Sequence, residues 1–209
     1  MGELLMEKPA ETQYDIHELL CRRWSPRAFA ERPVEADKLR SLFEAARWAP
    51  SCFNAQPWRF LFATKETPVE YNRLFDCLVE GNKKWAHRAP VLVLSLAKLT
   101  FEDGSANRHA WHDVGLAMGN LLLQSTALGL IVNQMAGFDT VKARTELHIP
   151  DGYDPIAIIA IGYAGDPATL PDSLRQKEVA KRKRRPLAES VFTVTWGTPS
   201  TLVKPEFPY

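Results

Sequence analysis

The sequence predicts one domain in which helices and strands are mixed, and three observations carry that prediction. The chain has 209 residues, 45% of them hydrophobic, enough to bury a sizeable core in a single unit. Charged residues make up 24%, close to the usual quarter of a folded chain rather than the excess of a disordered one. Helical periodicity (Leu39, Leu42, Phe43, Ala46) alternates with apolar runs of strand length at 91–96 and 155–163.

In order, residues 12–22 read as a first helix, with Ile16, Leu19 and Leu20 on one face and Thr12 or Asp15 as cap. Residues 33–48 give a second, which must stop near Ala49 because Pro50 disfavours the helical conformation before it. Trp58, Phe60 and Phe62 then alternate as in a strand. Thr67-Pro68 opens a third helix, which Gly81 ends. Residues 91–96 are apolar throughout, as in a strand covered on both faces. Residues 109–130 form the longest helical run, apolar on more than one side, so it is buried on most sides or partly covered by another subunit. Gly115, Gly119 and Gly129 would allow close backbone approach there. Ile131-Val132 leads into an interruption at 134–139, with Asp139 capping a helix from about Thr140. Residues 155–163 are the last strand, and residues 1–12 and 199–209 read as extended arms.

Several classes are disfavoured at once. A formal net charge of +1 argues against a protein built to neutralise nucleic-acid phosphates. Cys21, Cys52 and Cys77 form no C-x-x-C pair, which fits a reducing compartment rather than a disulfide framework. The N-terminus lacks a basic-then-apolar signal pattern and no apolar run is long enough to span a bilayer. A soluble, cytoplasmic protein without nucleic-acid or membrane partners is expected.

Chemistry-bearing residues gather in a few stretches. Pro50, Ser51, Cys52, Asn54, Gln56 and Pro57 make a stiff loop of hydroxyl and amide groups with no acid or base. Such a loop can hydrogen-bond a flat polar ring system without titrating against it, or be an ordinary helix-to-strand connection. Arg22, Arg23, Ser25 and Arg27 gather guanidiniums and a hydroxyl on one turn: half a phosphate site, or a solvated surface. Gly137 permits unusual backbone angles in the 134–139 turn. The basic run 181–185 before Pro186 fits a localisation signal or a nucleic-acid patch. His109, His112 and Asp113 invite a metal reading, but no further ligands follow at metal-site spacing. A charged helix start explains them, and no metal is expected.

The stretch from Arg47 to Phe60 resembles the A-P-S-x-x-N-x-Q-P-W-x-F loop of the FMN-dependent nitroreductase family. Other motifs stand in that family's order: R-x-S-x-R/K at Arg23, Ser25 and Arg27, G-F-D at Gly137, and a basic-x-basic step before P-L at Arg182 and Arg184. The resemblance covers about residues 16–196. It implies an α+β fold, with an antiparallel-dominated central sheet flanked by helices, in an intertwined homodimer that carries an FMN at each end of its interface. It assigns Arg23, Ser25 and Arg27, with Trp24 in the variable position, and Arg182 and Arg184 to the FMN phosphate. Pro50, Ser51, Cys52, Asn54 and Gln56 would lie along the flavin. Backbone N–H groups of Ala136 and Gly137 would face its N5, with Gln134 and Met135 along the ring. Asn82 would meet the pyrimidine edge, a helix-capping role being the alternative. Cys52-Phe53 stands where the family usually has small residues, and Gln134-Met135-Ala136 replaces a glycine-richer version; both departures bear on what is reduced.

The activity so implied is that of an FMN-dependent NAD(P)H oxidoreductase. NADH or NADPH would reduce the flavin, and a nitroaromatic, quinone or other conjugated acceptor would then take the hydride in a ping-pong sequence needing no catalytic side chain. Reductive dehalogenation or oxygen-dependent flavin chemistry on the same fold is the alternative. A nucleic-acid or partner-binding module using residues 181–185 is a third reading, against which the near-zero net charge weighs.

Overall fold

The computed structural model describes residues 7–203; residues 1–6 and 204–209, parts of the two expected arms, lie outside it. Its centre is a four-stranded antiparallel sheet, β1 (Trp58–Thr64), β2 (Val91–Lys98), β3 (Ile131–Met135) and β4 (Tyr153–Gly162), in the order β1-β2-β4-β3. The α+β expectation therefore holds, with β2 and β4 as the inner pair. Both are apolar on two faces because each face has its own core. Leu92, Leu94, Leu96, Ile158 and Ala160 point into one, with Tyr71, Trp85 and Phe138. Val91, Val93, Ile159 and Ile161 point into the other, with Leu42, Val114 and Leu121. Period-2 alternation thus serves two hydrophobic layers rather than a core and a solvent face.

The helices that cover the second core are α2 (Ala36–Arg47) and α5 (Ala110–Ala127). They are tied together by Asn120 Nδ2 donating to the Ala45 carbonyl at 3.0 Å and Gln124 Nε2 donating to Ser41 Oγ at 2.9 Å. The other face is covered by α3 (Pro68–Asp76), α4 (Glu80–Ala86) and α6 (Thr140–Glu146). Asp139 caps α6 as expected, its side chain accepting from Lys142 N.

Four element boundaries depart from the sequence reading. The first helix, α1, is only Glu18–Arg22; Tyr14, Ile16 and Leu20 are exposed, and with no fully buried residue a helix has little to extend it. Gly81 lies inside α4 rather than ending α3. The break falls earlier because Leu78 bridges Phe138 and Val79 N donates to the Gly137 carbonyl at 3.1 Å, tertiary bonds that outcompete helix continuation. The strand β3 runs on through Gln134 and Met135, the residues read as an interruption. Finally, β4 begins before Pro155, which a register shift opposite Ser95/Leu96 accommodates; a bulge is where a strand tolerates proline.

Beyond β4 the chain forms α7 (Asp172–Val179) and then runs without helix through residues 180–186. Val203, inside the expected C-terminal arm, is buried.

Candidate cofactor site

Two polypeptide segments far apart in sequence meet beside the C-terminal end of α1. Residues 23–28 leave α1 and are pinned to the β3 edge of the sheet, where buried Asn133 donates through Nδ2 to the carbonyls of Ser25 and Pro26 at 3.1 and 2.9 Å. The 180–186 segment arrives from α7. Arg182 Nη1 donates to the carbonyls of Lys8 at 2.8 Å and Cys21 at 2.7 Å, so the basic segment is fastened to the N-terminal chain, and Ala10 N donates to the Cys21 carbonyl at 2.9 Å.

The meeting gathers positive charge. Burial lowers the Arg23 pKa, and the guanidiniums of Arg182 and Arg184 lower it further. Burial and Arg184 act on Arg182 in the same direction. Lys8 is lowered by burial and by Arg182 and Arg27, against an opposing pull from Glu178; its ammonium rests 4.5 Å from the Trp24 ring centroid. Among the described residues no carboxylate pairs with Arg23, Arg27, Arg182 or Arg184. Arg23 Nη1 instead reaches Ser25 Oγ at 3.4 Å. Like charges gathered in this way are stabilised by an anion held between them, and guanidinium forks with a hydroxyl are a donor set suited to phosphate. The residues fit the phosphate end of FMN. The 181–185 run is therefore no uniform solvated strip: Arg182 turns inward and Lys181 pairs with Glu11 at 3.2 Å.

A second assembly lies at the opposite edge, before β1. Phe53, Asn54 and Gln56 adopt left-handed φ values of 52°, 54° and 46°, each a cost of order 1–3 kcal/mol for a non-glycine residue unless the surroundings impose it. Here they do. Ser51 Oγ accepts from Gln56 N at 3.0 Å, Gln56 Nε2 donates to the Asn54 carbonyl at 3.2 Å, and Cys52 N donates to Asp113 Oδ2 at 2.9 Å. Asp113, read from sequence as part of a charged helix start, is a buried fastener of this loop. Phe53 is 91% exposed and stands edge-on to Phe101, with Asn54, Glu102 and Asp103 around an open cavity of about 510 Å³. Pro50 is exposed and Ser51 and Cys52 are half-buried.

The third set is split. Asn82 does not cap a helix; from inside α4 its Nδ2 donates to the Gly137 carbonyl at 3.0 Å, so these two expected site residues do meet. A methyl added at Gly137 would sit 2.9 Å from both Asn82 Nδ2 and Val79 Cγ2. Gln134 and Ala136 are exposed, whereas the Met135 side chain is buried in the first core and is not open to a ligand along that strand. The alternation of β3 decides this: neighbours in a strand point to opposite faces. Sequence reasoning also missed Asn133 and Glu178; the signal was a polar side chain inside an apolar strand and a carboxylate just before the basic run.

An antiparallel sheet with a two-segment guanidinium cradle at one edge and a strained amide loop at the other describes a class of ligand-binding α+β protein, and comparison gives it a family. A family model described as the nitroreductase family matches residues 20–163. A crystal structure of an oxidoreductase containing FMN is 35% identical, with a TM-score of 0.85, covering 90% of this chain and 96% of that one. A nitroreductase family protein from Clostridium difficile 630 is 29% identical, with a TM-score of 0.67 over 87% of this chain and 99% of that one. A Streptomyces coelicolor protein provisionally named NADH dehydrogenase/NAD(P)H nitroreductase is 32% identical over 162 residues, 68% of this chain and 79% of that one. The chain belongs to the nitroreductase family.

Proposed function

We propose that this chain is an FMN-dependent NAD(P)H oxidoreductase that reduces nitroaromatic, quinone or other conjugated acceptors. The observation that carries the reading is the unpaired guanidinium cluster of Arg23, Arg182 and Arg184 with Ser25 beside it. FMN in a 35% identical oxidoreductase and the NAD(P)H nitroreductase name of a 32% identical relative support it.

Bound FMN would supply the hydride-transfer chemistry between a nicotinamide and an acceptor. The protein's own residues bind and orient. Arg23, Ser25, Arg182 and Arg184 would hold the phosphate, with Arg27 beside them. The amides of Asn54, Gln56 and Gln134 and the backbone near Ala136 and Gly137 offer neutral hydrogen bonds to a flat polar ring. The amides and main-chain groups offered to the ring carry no acid or base, so that part of the site imposes little proton chemistry of its own.

Loop 50–56 and the phosphate cradle belong to opposite edges of the sheet, β1 and β3, three strand spacings or roughly 14 Å apart even in the sheet plane. In this reading the loop that completes each flavin site comes from a second copy. Trp111 and Leu116 are exposed on α5, and open space lies beside Gly115 and Gly119 on the same face. The close approach expected at these glycines is not made within the chain; it fits an intertwined homodimer, as does exposure of Trp48, Phe53 and Phe62.

Steady-state kinetics test the function. With NADH or NADPH varied at several acceptor concentrations, double-reciprocal plots are expected to be parallel, the mark of a first product leaving before the second substrate binds. Intersecting lines would overturn the reading.

A further inference from the structure

The surface helix α7 buries one residue, and that residue is a glutamate. Glu178 is 1% exposed and among the largest fully buried side chains of the protein. Its position in the last helical turn is adverse, since the negative end of the helix dipole disfavours a carboxylate there. Burying an ion is costly unless bonds compensate it, and an apolar side chain of similar size would be cheaper. The compensation lies across the chain. Glu178 Oε1 accepts from Arg27 N at 2.7 Å and from Ala28 N at 3.0 Å, over sequence separations of 151 and 150 residues. Its main-chain carbonyl accepts from Lys8 Nζ at 2.6 Å, and its negative charge pulls against the repulsion that Arg182 and Arg27 exert on Lys8. Oε2 is buried without a hydrogen-bond partner.

We propose that Glu178 is a positioning residue that locks the 23–28 segment to the 180–186 segment, joining two basic arms into one phosphate cradle; this rests on the FMN reading above. One carboxylate oxygen fixes the backbone of Arg27 and Ala28 just past Ser25, while the chain four residues on delivers Arg182 to the carbonyls of Lys8 and Cys21. The carboxylate touches no cofactor atom in this account. It sets the spacing between Arg23 and Ser25 on one arm and Arg182 and Arg184 on the other. Its charge also restrains the gathered cations when no phosphate lies between them.

The test separates the phosphate from the ring by comparing FMN with riboflavin, which lacks the phosphate, by quenching of flavin fluorescence. The parent is expected to prefer FMN. Glu178→Ala is expected to lose about tenfold or more in FMN affinity, the scale of one charge-assisted contact, with riboflavin affinity unchanged. Glu178→Gln keeps an oxygen that can accept both N–H groups and is expected to retain most of the FMN preference. A parent-like FMN-to-riboflavin ratio in Glu178→Ala, or an equal fall for both ligands, would overturn the proposal. If the alanine variant does not fold, Glu178→Asp withdraws the carboxylate by one methylene while keeping its charge; it should lose FMN preference, and a parent-like ratio there would overturn the proposal equally. A parent that shows no preference for FMN overturns the phosphate reading itself, and this inference with it.

Discussion

The buried carboxylate of Asp113 accepts the backbone N–H of Cys52 at 2.9 Å, so the first turns of α5 hold the loop that precedes β1. Its other oxygen meets His112 Nδ1 at 3.0 Å. Asp113→Ala should destabilise the protein by about 1–3 kcal/mol, the usual cost of leaving a partly buried group unpaired, and should speed reaction of the half-buried Cys52 with a thiol reagent. Asp113→Asn keeps an acceptor and should lose less. Denaturant unfolding and thiol kinetics that match the parent in Asp113→Ala would show that the loop holds itself.

Gly137 makes a sharper steric prediction. A methyl there would sit 2.9 Å from Asn82 Nδ2 and from Val79 Cγ2, where it would displace the amide that donates to the Gly137 carbonyl. Gly137→Ala is expected to cost about 1–3 kcal/mol by overpacking. Adding Asn82→Ala removes one of the two obstacles, so the double variant should lose less than the sum of the singles. Strict additivity in urea unfolding would place the strain elsewhere.

Glu35 gives a pH prediction. Its carboxylate is held at about 2, chiefly by the Tyr163 hydroxyl and its own backbone N–H, with help from Arg32 and Lys38. A folded value below the ordinary 4.5 means that the contribution to stability is present above pH 4.5 and is lost as pH falls towards 2. The group is exposed, so the effect is small. The difference in Tm between parent and Glu35→Gln should be greatest near neutrality and should close as the pH is lowered through that window. A difference that grew on acidification would contradict the assignment.

Long apolar segments were legible in the sequence because their periodicity is dictated by the layers they separate: β2, β4 and α5 stand where the pattern put them. The boundaries that moved were decided by partners far along the chain. Gly81 looks like a helix end, but the stop is set by Gly137 and Phe138, more than fifty residues away. Within the site, the motif residues Arg23 and Arg182 were readable as donors, and the structure brings their segments together. Met135 was misplaced because a strand extended two residues further than the turn residues implied. Glu178, Asn133 and Asp113 stand out in the sequence only as polar groups in unusual places; each acts on a backbone group distant in sequence, and no local spacing records which one.

The proposed two-copy site predicts the state of assembly. Interfaces of this intertwined kind commonly exceed ~2,000 Å² and persist at working concentrations. Sedimentation at low micromolar protein should show a single dimeric species that carries its flavin absorbance with it. A monomer that retains the flavin would contradict the placement of loop 50–56 in a neighbour's site.

The central claim is that two arginine segments, one on each side of the sheet-forming region of the sequence, share one phosphate. Equilibrium FMN affinity of Arg23→Ala and Arg184→Ala tests it most directly. Loss of one charge-assisted contact to a dianion is worth about 1.5–3 kcal/mol, so each variant should bind FMN roughly tenfold to over a hundredfold more weakly than the parent. Parent-like affinity in both variants would contradict the claim.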